Sequence, residues 1–82
     1  DTKKSAAEYK VERLKRILGY IHENYSKKIC ISDLAKELNM SKYYFCHFFK
    51  SMTGRTPIEY LNYYRIIQAA RLLEGKERKV MD

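Results

Sequence analysis

Ile31-Ser-Asp-Leu-Ala-Lys-Glu-Leu-Asn-Met-Ser-Lys-Tyr-Tyr-Phe-Cys-His-Phe-Phe49 reads as two short helices joined by a very tight turn. In the first, over about residues 32–38, Leu34, Ala35 and Leu38 share one face. Ser32 is its expected N-cap, and Asp33 complements the helix dipole from the first turn. Asn39 follows at once, and asparagine tolerates the left-handed conformation that an abrupt helix stop needs. The second helix, over about residues 42–52, starts behind Ser41 as N-cap and closes at Thr53-Gly54. At 100° per residue, Phe45, Phe48, Phe49 and Met52 gather on one side. Tyr43, Cys46, His47 and Lys50 gather nearly opposite. The phenylalanine side is core, packed back onto Leu34 and Leu38, and Ala35 must be small because the helices cross there.

Working outward, a longer helix is expected on each flank. The first, over about residues 7–25, carries a stripe of Val11, Leu14, Leu18, Ile21 and Tyr25 with Ile17 beside it. Gly19 lies inside this helix, costs up to about 1 kcal/mol against alanine, and is expected to mark a close helix contact. The last helix, over about residues 57–73, begins at Pro57 behind Thr56 as N-cap. Its apolar residues fall nearly all round the axis, so more than one side needs covering. Gly75 and a charged tail follow. Strand-like alternation is absent, and the chain reads as all-α.

The 82 residues suffice for one small domain, and a net charge of +7 favours a polyanionic partner. No acid occurs between Glu37 and Glu59, whereas Lys42, Lys50 and Arg55 do. A carboxylate there would repel a phosphate backbone, so this shortage marks a phosphate-facing surface. Two helices with a tight turn and such an outer face form a helix-turn-helix, which places its second helix in the major groove of double-stranded DNA. Tyr43 and His47 can hydrogen-bond base edges, and Cys46 can make a small apolar contact. Lys42, Lys50 and Arg55 suit phosphates, which position the helix without specifying sequence.

Other classes fare worse. Cys46 and His47 are adjacent on a helix, point about 100° apart and cannot pair as nucleophile and base. His22 reads as a surface residue of the first helix, and Glu12, Glu23 and Glu37 as solvated charges. Cys30 and Cys46 have no metal-ligand spacing. With no secretory leader they point to a reducing, cytoplasmic location rather than a disulfide. No apolar run approaches the roughly 18 residues that span a bilayer. No enzyme activity, metal or cofactor is expected. RNA binding lacks aromatic sheet positions or a Gly-rich clamp. The serious rival is a helical protein–protein module using the tyrosine-rich last helix, since tyrosine is enriched at interfaces.

The segment from Ile31 to Leu73 also resembles the DNA-binding domain of the AraC/XylS family of bacterial transcription regulators. Three pieces carry the resemblance: Ser32 to Ser41, with Asn39 where the family usually has glycine; Tyr44-Phe-Cys-His-Phe-Phe-Lys50 with Thr53-Gly-Arg-Thr-Pro57; and Tyr60-Leu, Arg65 and Ala69-Ala-Arg-Leu-Leu73. The resemblance implies a homeodomain-like three-helix unit followed by a long linker helix. Residues 1–82 would be the N-terminal part of a two-unit DNA-binding domain, with its first helix-turn-helix at 31–53, its linker helix at 57–73 and a truncated start of the second unit at 79–82. It implies base reading by Tyr43, Cys46 and His47. Ser41, Lys42, Lys50, Arg55 and Arg65 would contact phosphates. RNA polymerase or a second subunit would be a further partner, and the uncovered linker helix would make the fragment self-associate. A chain that starts Asp-Thr-Lys-Lys without methionine is expected to be a piece of something longer.

Overall fold

The computed structural model describes residues 4–81, with side chains as far as Gly75. Four helices follow in order, α1 (Ala6–Asn24), α2 (Ile31–Glu37), α3 (Lys42–Thr53) and α4 (Pro57–Met81), and no strand occurs among the described residues. The all-α reading holds.

Local chemistry sets the helix ends. Ser5 and Glu8 form a reciprocal capping box at α1, with the Ser5 Oγ accepting from the Glu8 N–H at 3.2 Å and Glu8 Oε1 accepting from the Ser5 N–H at 2.8 Å. At α2 the expected cap is corrected. Cys30, not Ser32, holds the N-cap position, and no side chain caps the helix. A helix with Ile31 half-buried at its first position anchors by packing instead. The turn after α2 has Asn39 at φ 56°. The Met40 N–H donates to the Ala35 carbonyl at 2.9 Å and the Asn39 N–H to the Lys36 carbonyl at 3.0 Å. This is a Schellman motif, and its left-handed residue is the asparagine that the sequence offered for it.

One core joins all four helices. Ile17 and Ile21 of α1, Leu34, Ala35 and Leu38 of α2 with its C-cap, Phe45, Phe48 and Phe49 of α3, and Leu61 of α4 are buried together. Phe49 meets Tyr60 edge-on at 5.6 Å between centroids, which ties α3 to α4. Tyr60 in turn reaches α1, where its hydroxyl lies 2.7 Å from His22 Nε2. Burial and the neighbouring Tyr64 and Tyr63 hold the Tyr60 hydroxyl above its usual pKa. His22 is exposed as expected, yet its ring also stacks on Tyr64 at 4.4 Å.

Three expectations change. Val11 is 43% exposed, because the first turns of α1 run past the core, which starts to engage at Leu14. Gly19 marks no close contact, since a Cβ added there would meet nothing within 4 Å. The last helix does not stop near Leu73 but continues through Gly75 to Met81. An interior glycine costs a helix only about 1 kcal/mol, and Lys, Glu and Arg after it are good helix formers. Residues 79–81 therefore continue α4, and Asp82 lies outside the described residues.

Candidate nucleic-acid interface

The outer face of α3 is built by what anchors its inner face. Three buried phenylalanines leave the helix no rotational freedom about its axis, so the opposite positions are presented in a fixed direction. Ser41 caps the helix, its Oγ accepting from the Tyr44 N–H at 3.1 Å, which leaves the hydroxyl proton free to donate outward. At the far end Gly54 adopts φ 82°, and its N–H closes on the Lys50 carbonyl at 2.8 Å.

Tyr43, 75% exposed, and His47 lie one turn apart, with ring centroids 4.4 Å apart and planes tilted by 54°. Each ring limits the rotamers of the other. Cys46 is half-buried beside them as a free thiol, and Cys30 is also free and exposed. Cys46, His47 and Lys50 line a shallow hollow that Thr56 closes from the start of α4. The structure thus gathers Tyr43, Cys46, His47 and Lys50 on one surface, with Ser41 and Lys42 exposed at its N-terminal end.

Arg55 sits at the other end, on the corner between α3 and α4. Its guanidinium carbon lies 4.3 Å from the centre of the Tyr63 ring. Its backbone is fixed by Thr53, whose Oγ1 donates to the Phe49 carbonyl at 2.9 Å and accepts from the Arg55 N–H at 3.1 Å. Arg65 does not join this group. Its Nε donates to the Tyr25 carbonyl at 2.8 Å and its Nη2 to the Lys27 carbonyl at 2.9 Å, so it fastens α4 to the segment after α1.

Glu59 borders the surface. Thr56 and Glu59 form a second capping box, with Glu59 Oε1 accepting from the Thr56 N–H at 2.9 Å and Thr56 Oγ1 from the Glu59 N–H at 3.1 Å. The bond from the Thr56 N–H, with Lys50 and Arg55 nearby, holds the Glu59 carboxyl below its usual pKa. The stretch free of acids in sequence is thus closed in space by Glu59, whose charge is engaged at a helix start. The sequence does not by itself place Tyr44, Thr56 or Tyr63 on this surface. Tyr44 is exposed on α3 beside Tyr43, and the periodicity that found Tyr43 could have shown it. Thr56 and Tyr63 reach the surface only through the α3–α4 corner, which helical periodicity does not encode.

Among the described residues, no group of three or more potential metal-ligating side chains exists, and no helix is long and apolar enough to cross a membrane.

Comparison with known proteins matches residues 34–82 to the family described as a helix-turn-helix domain. The uncharacterized HTH-type transcriptional regulator YdeC of Bacillus subtilis is 37% identical over 73 residues, which cover 89% of this chain and 25% of that protein. The transcriptional regulatory protein HptR of Staphylococcus aureus is 36% identical over 67 residues, covering 82% of this chain and 27% of that protein. The chain spans about a quarter of the length of these relatives. No solved structure matches it significantly. The turn at Asn39, the phenylalanine-anchored helix behind it and these matches agree, and the chain belongs to the AraC-type helix-turn-helix family of transcription regulators.

Proposed function

We propose that this domain binds double-stranded DNA in a sequence-specific manner for a bacterial transcription regulator, with α3 in the major groove. The observation that carries this reading is the outer face of α3. Tyr43, His47 and Lys50 are exposed on it, Cys46 lies between them, and α3 itself bears no carboxylate. Tyr43, Cys46 and His47 read base edges, while Ser41, Lys42, Lys50 and Arg55 hold phosphates. Arg65 acts as a structural tie, because both of its bonded donors are committed to carbonyls. The work of such a domain lies with DNA in the cytoplasm and requires no catalysis.

A salt titration with duplex DNA tests the reading. Binding falls as salt rises, with a log–log slope of about −0.9 per phosphate contacted. Lys50→Ala weakens all sequences alike and makes the slope shallower by about one contact. His47→Ala changes the base preference recovered by selection from random duplexes at a few positions only. Duplex binding with no salt dependence, or with the same preferences in His47→Ala, contradicts the proposal.

The outer side of α4 supports a two-unit arrangement. Ile58, Ile66 and Leu73 are exposed along it. A second helix-turn-helix unit beyond α4 would cover them, and without it the 82-residue chain self-associates through this face. Sedimentation across a wide concentration range should show the association, and a strict monomer would refute it. A second regulator subunit or RNA polymerase is the rival occupant of the same face.

A further inference from the structure

Arginine is a long side chain with large rotamer entropy, and an unrestrained one at a surface contacts a phosphate only part of the time. Arg55 is restrained at both ends. Gly54 in the left-handed region and the Thr53 hydroxyl fix its backbone, and its guanidinium rests over the Tyr63 ring at 4.3 Å. Tyr63 lies one turn beyond Glu59 on α4, so the guanidinium sits where an aromatic face and a carboxylate of the same helix both attract it. Tyr63 is itself 45% exposed and belongs to no part of the buried core. Its ring has no evident packing duty that would explain its place.

We propose that Tyr63 is a positioning residue for DNA binding: its ring seats the Arg55 guanidinium at the α3–α4 corner, aimed at a backbone phosphate beside the groove that α3 enters. The assignment rests on the DNA-binding reading above. It extends that reading from α3 onto a residue of α4 that touches no nucleic acid. The stacked face of a guanidinium uses none of its N–H donors, so the seat leaves them free for phosphate oxygens. Replacing the ring with an aliphatic side chain frees the arginine, and the ordering cost then falls on the moment of binding.

The test is a double-mutant cycle on the 82-residue chain with duplex DNA at several salt concentrations. Arg55→Ala weakens binding and makes the salt slope shallower by about one contact. Tyr63→Leu weakens binding about two- to fivefold, the scale of an exposed cation–π contact, while Tyr63→Phe restores it because the ring face is kept. In an Arg55→Ala background, Tyr63→Leu has no further effect. Circular dichroism melting confirms that each variant is folded. Equal losses in Tyr63→Leu and Tyr63→Phe, no loss in Tyr63→Leu, or a loss that persists without Arg55 overturns the assignment and leaves DNA binding standing. If wild type shows no salt-dependent duplex binding and Lys50→Ala changes nothing, the DNA-binding reading falls and the seat falls with it.

Discussion

The third and fourth helices are both rich in apolar and aromatic side chains, and they use them in opposite ways. In α3 the large apolar residues sit on one side, with Phe45, Phe48 and Phe49 buried, and the other side is polar and aromatic. In α4 Leu61 is buried and Tyr60 half-buried, while Ile58, Ile66 and Leu73 face outward, Ile66 at 67% exposure. A helix with one apolar stripe is satisfied by one neighbour, whereas a helix apolar all round needs two. The outer side of α3 is therefore a finished surface whose composition calls for a ligand. The outer side of α4 has the composition of an interior.

The sharpest way to break this comparison is to truncate one residue from each side. Phe49→Ala removes a fully buried ring from the meeting point of α3 and α4 and should cost about 3–5 kcal/mol, a large share of a small domain's stability. Ile66→Ala should change stability by no more than about 0.5 kcal/mol. Thermal melts of dilute protein, followed by circular dichroism, check both. Similar costs at the two sites would mean that the outer side of α4 is already covered in solution.

What the sequence made legible follows the same division. The period of α3 placed its buried and outward sets correctly, because a short helix with three phenylalanines has only one way to turn. Asn39 and Gly54 announced their left-handed positions by residue type. The box at Ser5 and Glu8 stands in the sequence as a Ser-x-x-Glu pattern ahead of the α1 stripe. The start of α2 was misplaced because Ser32 is a good cap by chemistry, but the packing of Ile31 begins the helix earlier. The extent of α4 is not legible in its apolar pattern, which ends near Leu73, whereas the helix runs on because Gly75 costs little beside a long run of helix formers. Arg65 and Arg55 look alike in sequence. Only the fold separates one bound to two carbonyls from one laid over a tyrosine.

The junction between the two helices gives a smaller effect. Gly54→Ala forces a Cβ into φ 82° and should destabilise by about 1 kcal/mol or more. Gly19→Ala is the matched control. It sits in a regular helix with open space around it, so the same change should stabilise by about 0.5–1 kcal/mol. Opposite shifts in melting temperature are expected. A loss at Gly19 would restore the close contact that the sequence had implied and the structure lacks.

The smallest effect lies at Glu59, where α4 begins beside the finished surface of α3. Its carboxylate accepts from the Thr56 N–H and feels Lys50 and Arg55, which together hold its pKa below the ordinary 4.5. A group whose pKa is lowered on folding contributes stability above its unfolded value and loses it as pH falls through the folded one. Glu59→Gln should therefore lower the melting temperature slightly at neutral pH. The gap between the two proteins should close well below pH 4.5, where the wild-type carboxyl is also neutral. On DNA the sign reverses. Removing this carboxylate at the edge of the α3 surface strengthens binding, because Lys50 and Arg55 then face phosphate without its competing charge. Weaker binding in Glu59→Gln would mean that Glu59 matters more for holding Arg55 and the first turn of α4 in place than for its charge. The corner would then depend on its carboxylate as well as on Tyr63.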